Sequence, residues 1–350
     1  MKGSKAITLL LMICLVFSGC GAGGNSGESP STAKEIGEVQ EASEVKKGVT
    51  IGKITASEGV GYPVTITDMI GNQVTIEKKP ERIAAISGTF LSLLYAVGGE
   101  SICTSGTSAN SPIPPEADNL PNIGQIYNPN VEKIMELKPD LIIAQTGVQD
   151  IILPVLKECG IPVLYLQMRT YDDVINMLGV MGRIVNQEER AEKIIKKMEQ
   201  DKKEIVDRLP KETPSAVILY VTSQDIAVKL SMSISGNVAE TLKIKNIVAE
   251  TEINGFKTEN MPFSMETIIE KDPDVILVTS MLGEGTSAQQ IIEEKLGKDP
   301  VWKNLRAVKE NRIVYLPQKY FLYNAGANFV EAIEYMAKAV YPEIYGGLND

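Results

Sequence analysis

Histidine is absent from all 350 residues. That absence removes every Ser-His or Cys-His catalytic pair and any zinc site that needs imidazole. It also argues against a Zn²⁺ or Mn²⁺ carrier built on histidine ligands. No Gly-rich phosphate loop lies between a strand and a helix, since the run Gly21-Ala22-Gly23-Gly24 falls in a polar stretch with no strand before it. Basic surface is also lacking. With 35 Lys and Arg against 45 Asp and Glu, the formal net charge is -10 and no Lys/Arg-rich face emerges, so neither nucleic acid nor an anionic membrane surface is expected as the main partner. No acid and base groups converge in a recognisable catalytic set. The chain is therefore read as a non-enzyme, with no cofactor expected.

Cysteine is scarce, with four in the chain. Cys14 lies in an apolar run from Ala6 to Phe17 that follows Lys2 and Lys5 and ends in Ser18-Gly19-Cys20. The run is too short to span a bilayer, and small residues precede the cysteine, which is the layout of a signal peptide. The segment resembles a bacterial lipobox, with Phe17 in place of the usual Leu or Val, and the resemblance makes Cys20 the lipidated first residue of the mature chain. An ordinary secreted protein is the alternative. Residues 21–60 begin with Gly, Ser, Glu and Lys and almost no large apolar side chains, so they cannot offset the entropy of ordering and read as a flexible tether. Two cysteines remain, Cys103 and Cys159. They are able to pair in an oxidising compartment, but nothing resembles a disulfide framework, and two buried thiols are the simpler expectation.

The organisation of the rest comes from an internal repeat. Residues 130–147 read NVEKIMELKPDLIIAQTG and residues 264–281 read SMETIIEKDPDVILVTSM. At a constant offset they share Glu132/Glu266, Ile134/Ile268, Glu136/Glu270, Pro139/Pro273, Asp140/Asp274 and Ile142/Ile276. Each copy reads as a short amphipathic helix stopped by Pro-Asp and followed by a buried strand. RIAAIS (82–87) then corresponds to AVILYV (216–221), and IPVLYL (161–166) to RIVYLP (312–317). Apolar runs of this length alternating with helical patterns predict parallel sheets covered on both faces. The expected fold is α/β, with two doubly wound, Rossmann-like lobes joined by a single long helix. The boundaries are an N-terminal lobe over 61–172, a connecting helix over 173–208 and a C-terminal lobe over 209–350. A hairpin around Gly71-Asn72 is expected on the edge of the first lobe. Asn186 is a place where the connector could break or kink.

The segment TDMIGNQVTIEKKPERIAAIS, the paired Pro-Asp strands and a terminal helix ending at Tyr341-Pro342 together resemble the siderophore, haem and cobalamin binding proteins of ABC importers. The resemblance covers nearly all of residues 62–342. It implies a monomeric, extracytoplasmic carrier, anchored to the cell membrane through Cys20, whose partners are an ABC permease and its ATPase. It also implies that one glutamate on each lobe docks against the permease, and Glu132 and Glu266 stand at the matching positions. Asn128-Pro129 and Ser264 look like helix starts, which places both glutamates in first turns. A plainer role exists there, because acidic side chains in a first turn stabilise the helix dipole by about 0.3–1 kcal/mol without any partner.

A ligand in an open α/β sheet binds outside the carboxyl ends of the strands. The candidate loops are 87–89, Thr107, 125–128, Thr146 and 168–169 in the first lobe, and 222–223, 260–261, 280–281, Tyr320 and Tyr323 in the second. Tyr127, Arg169, Tyr320 and Tyr323 lead the candidates, followed by Thr89 and Met261. Core packing is the competing role for any one Met or Tyr. Ferric siderophores are bulky and often anionic and suit Arg or Lys beside aromatic rings, here Arg169 and Lys257. Haem without histidine would need Tyr127, Met261 or Tyr320 as an axial ligand, and a corrinoid would need mainly apolar walls. A siderophore-like ferric chelate ranks first, with corrinoid and haem behind. A surface sensor or adhesin on the same fold is the alternative of another class.

Overall fold

Val64 and Ile66 alternate with half-buried threonines and enter the core, as a strand with one covered face requires. A computed structural model describes residues 54–59, 61–106, 113–248, 258–283, 285–323 and 325–348 of the chain. The signal peptide, Cys20 and nearly all of the tether lie outside these residues, as do Thr107 and Lys257. Within them, Val64–Thr67 pairs with Gln73–Ile76 in the expected hairpin, and the short strand Thr55–Ala56 adds a third member. Asp68 closes the turn by accepting from the backbone N–H of Ile70 at 3.1 Å and of Asn72 at 2.8 Å. Its second oxygen accepts from the N–H of Tyr165 at 3.2 Å, which fixes the hairpin to the strand Val163–Leu166.

Both repeats build the same strand order. Ile83–Ala85, Leu141–Gln145 and Val163–Leu166 lie side by side and parallel, and so do Ser215–Thr222, Val275–Met281 and Ile313–Tyr315. The shared Pro-Asp explains one reason the pattern recurs. Asp140 accepts from the N–H groups of Glu81 and Arg82 at 2.8 and 3.0 Å. Asp274 accepts from the N–H and hydroxyl of Ser215 at 2.8 and 2.7 Å. Each aspartate thus clamps the start of the first strand of its half to the middle strand. Burial opposes ionisation of Asp274, but its bonds from Ser215, with Arg306 and Arg312 nearby, together hold its carboxyl below the usual carboxylate range.

The second sheet is larger than the repeat foretells. Ile226–Lys229 and Asn260–Pro262 extend it antiparallel on one side, and Lys245–Asn246 adds a short parallel strand, giving six in all. A separate small sheet holds Thr104–Gly106, Asn122–Gln125 and Asn128–Pro129.

The connector departs from expectation, being two helices, Tyr171–Val185 and Glu188–Val206. Asn186 takes φ 57° and ψ 49°, a left-handed conformation that ends a helix and that Asn tolerates better than most residues. Gly182 permits the close approach that follows, since a Cβ there would lie 2.5 Å from the Cβ of Ala191. The first helix begins in a capping box between Thr170 and Asp173.

Alternation along the strands divides the core. Ile83 and Ala85, with Ala216 and Ile218, face one continuous apolar cluster that also takes in Val174, Met177 and Met181 of the connector and Phe329, Ile333 and Met336 of the terminal helix. The opposite faces are covered separately, around Ile142 and Tyr165 in the first half and around Leu219 and Trp302 in the second. Each sheet is therefore covered on both sides, and the two halves share one of the three clusters. Cys103 and Cys159 are both free thiols, and burial pushes that of Cys103 up to about 12. No helix among the described residues is long and apolar enough to cross a membrane.

The short helix Ile234–Thr241 sits tightly on the loop before it. A Cβ on Gly236 would lie 2.0 Å from the carbonyl oxygen of Leu230 and 2.9 Å from the Cα of Ser231, backbone atoms that cannot rotate away. Gly236→Ala is expected to cost about 2–3 kcal/mol of stability. Urea unfolding should show a lower midpoint with an unchanged slope.

Candidate functional site: a charged cleft between the two sheets

A cavity of about 730 Å³ opens where strands of both halves end. Gln145 and Met281 are the last residues of their strands, and Gln167 directly follows Val163–Leu166. All three line the cavity, at the carboxyl edge where α/β folds bind ligands. The first half's rim is tied together by Gln149, fully buried, whose side-chain amide donates to the carbonyls of Ile86 at 2.6 Å and Ile126 at 2.9 Å.

Three ionised side chains dominate the lining. Arg169, between the strand Val163–Leu166 and the first connector helix, forms an ion pair with Glu259, which precedes the edge strand Asn260–Pro262. Lys229, the last residue of the strand paired with Asn260–Pro262, lies 3.6 Å from the other oxygen of the same carboxylate. Its ammonium also sits 4.2 Å above the centre of the Tyr220 ring, a cation–π contact. Burial pushes the Lys229 amine below the ordinary lysine value, and the positive charge of Arg169 acts in the same direction, while Glu259 opposes both. Burial also raises the Tyr220 phenol, as do Glu259 and Tyr323. Among the described residues, Arg169, Lys229 and Glu259 are the charged members of the lining, two cations to one anion. Such a cavity has the size and mixed lining of a small-molecule site and favours an anionic occupant.

Of the residues singled out from sequence, Thr89, Arg169 and Tyr323 line this cavity, as do Met168, Asn260 and Met281 from the wider loops. Tyr127 does not. It lies at the tip of the turn before Asn128–Pro129 with 63% of its surface exposed, and its neighbour Ile126 faces the cavity instead. Met261 is on the wrong face, because alternation along Asn260–Pro262 sends Asn260 to the cleft and Met261 to the apolar cluster around Trp302. Tyr320 is elsewhere too. Its hydroxyl donates to Glu331 at 2.8 Å and its ring packs against Tyr335. Sequence reasoning missed Tyr220, Lys229 and Glu259. The available signal was Lys229 itself, a lone cation closing the otherwise apolar run Ile226-Ala227-Val228.

Glu132 and Glu266 occupy the first turns of Val131–Glu136 and Met265–Lys271. The first helix is capped by Asn130 and not started at Asn128-Pro129, which form a short strand. Asn130 accepts from the N–H of Lys133 at 2.9 Å, and Ser264 from that of Thr267 at 3.3 Å. Both glutamates are exposed, while Ile134 and Ile268 beside them are buried.

Residues 83–320 match the family model described as periplasmic binding protein. The chain belongs to that family. Among its relatives, the uncharacterized ABC transporter substrate-binding lipoprotein YvrC of Bacillus subtilis (strain 168) is 26% identical over 345 residues, covering 96% of each chain. The Fe(3+)-citrate-binding protein YfmC of the same organism is 24% identical over 319 residues, covering 88% of this chain and 87% of its own. The crystal structure of Staphylococcus aureus IsdE complexed with heme has a similar fold, with a TM-score of 0.66 at 19% identity over 74% of this chain and 98% of that one. The two sheets and the cleft between them are thus a periplasmic binding protein architecture.

Proposed function

We propose that this periplasmic binding protein is the extracytoplasmic component of an ABC importer and that it captures a siderophore-like ferric chelate in the Arg169–Lys229 cleft for delivery to a permease and its ATPase. In this reading Cys20 carries the lipid anchor and residues 21–60 are the tether. The observation that carries it is the placement of two cations, contributed from opposite sides of a 730 Å³ cavity, beside the phenols of Tyr220 and Tyr323. Ferric chelates with oxygen donors commonly carry negative charge and present flat, polarisable faces, which Arg, Lys and aromatic rings bind together. The Fe(3+)-citrate-binding relative supports the assignment. Haem is the second reading, favoured by the same two phenols as axial ligand candidates and by the fold shared with a haem-bound structure.

Calorimetric titration with ferric citrate, a neutral ferric hydroxamate, haemin and cobalamin tests this. Saturable binding of a ferric chelate, without response to haemin or cobalamin, is the expected result. Haemin binding with a shifted Soret band would replace it with the second reading, and cobalamin binding alone would displace both.

A further inference from the structure

Glu259 stands where the anion of a ligand would stand. One carboxylate oxygen meets Arg169 from the first half and the other faces Lys229 from the second, so a single side chain is the shared counterion of both cations across the cleft. We propose that Glu259 acts as an internal surrogate for the ligand's anionic groups and so determines the charge class of the cargo: a chelate bearing two or more negative groups displaces it, whereas a neutral chelate does not. The proposal rests on the ferric-chelate reading above and deepens it.

The exposures suit an exchangeable pair. The side chains of Arg169 and Glu259 retain 29% and 27% of their surface to solvent, so either is reachable by a ligand, whereas Lys229 retains 11%. The backbone of Glu259 is held, so exchange needs only its side chain to turn. The carbonyl of Glu259 accepts from the N–H of Leu230 at 2.8 Å, and the next residue enters the edge strand, which pairs with Ile226–Lys229. Arg169 is held likewise, its backbone N–H donating to Asp173 at 3.0 Å in the capping box of the connector. If Glu259 swings away, Lys229 becomes a buried cation without a counterion, which is strongly unfavourable. A ligand with one carboxylate does no more than take the place of Glu259, bridging the same two cations and leaving one positive charge uncompensated. Two groups, as in a polycarboxylate chelate, give each cation a counterion of its own.

The test compares Glu259→Gln with the wild-type chain in binding ferric citrate and a neutral ferric hydroxamate. Gln preserves size and removes charge, and thermal unfolding reports whether the fold is kept. The expected result is an affinity for ferric citrate raised about tenfold, the scale of coupling between close charges at an interface, with the hydroxamate unchanged within about twofold. In an Arg169→Ala background the gain from Glu259→Gln should shrink to about twofold, because less of the competition remains. Weaker or unchanged citrate binding in Glu259→Gln would overturn the proposal, as would an equal gain for both chelates. If the Gln variant does not fold, the wild-type preference decides: tighter binding of the neutral chelate than of ferric citrate would overturn the proposal and the reverse would support it. Failure of the wild type to bind either chelate would remove the ferric-chelate reading itself, a separate outcome.

Discussion

Replacing Arg169 and Lys229 together by alanine should weaken binding of an anionic ferric chelate by at least about a hundredfold, because a hydrogen bond to a charged group is worth about 1.5–3 kcal/mol and two would be lost. The double variant also leaves Glu259 in the cleft without its two cations, so an anion would meet repulsion where it had met attraction. Calorimetry at fixed ionic strength checks the loss. Tyr320→Phe serves as the control, expected to bind within about twofold of wild type, since its hydroxyl reaches Glu331 outside the cavity. The wild-type pH profile carries the same signature. The Lys229 amine is held below the ordinary lysine value, so its charge is lost on raising the pH sooner than that of an exposed lysine. Anion affinity should therefore decline with rising pH below the range in which ordinary lysines titrate. The decline should be absent from Lys229→Ala.

The parallel half of this fold was legible because its signals are local. Ile142 and Ile276 sit in apolar runs after a helix and a Pro-Asp stop, and the repeat places them in corresponding strands. The hairpin was equally local, with Gly71 at φ 88° beside Asn72 in the turn. The antiparallel strands of the second sheet were not. Ile226–Lys229 pairs with Asn260–Pro262 from more than thirty residues away, and neither segment states its partner in its own sequence. Lys229 and Glu259 meet only through that pairing, so the central charges of the cleft stayed hidden while Arg169, at the end of a readable strand, did not. A break at Asn186 was legible as an option, but that the connector is two helices was not, for another reason. Apolar spacing resumes at Ala191 with helical period, and periodicity alone does not distinguish a helix that bends back from one that runs on.

Replacing both Glu132 and Glu266 by alanine should reduce uptake of the cognate chelate at least about tenfold while leaving its affinity for the isolated protein unchanged. Topology makes the pair informative. Each glutamate begins a helix that leads into the middle strand of its half, and such a helix runs antiparallel to that strand, so its first turn stands at the carboxyl edge of the sheet. That is the edge at which the cleft opens, so each half presents one exposed carboxylate on the same side as the cleft's mouth. Among the described residues neither glutamate takes part in a hydrogen bond or ion pair, so neither is committed to holding the fold. Helix-dipole stabilisation predicts a different outcome. It would lower stability by about 0.3–1 kcal/mol for each substitution and would leave transport intact. Uptake assays in cells, run beside calorimetry and thermal unfolding of the purified variant, separate the two. Normal uptake with a slightly lowered melting temperature would leave the carboxylates as helix stabilisers alone. Lost uptake with wild-type affinity would make them the contact through which cargo is handed on.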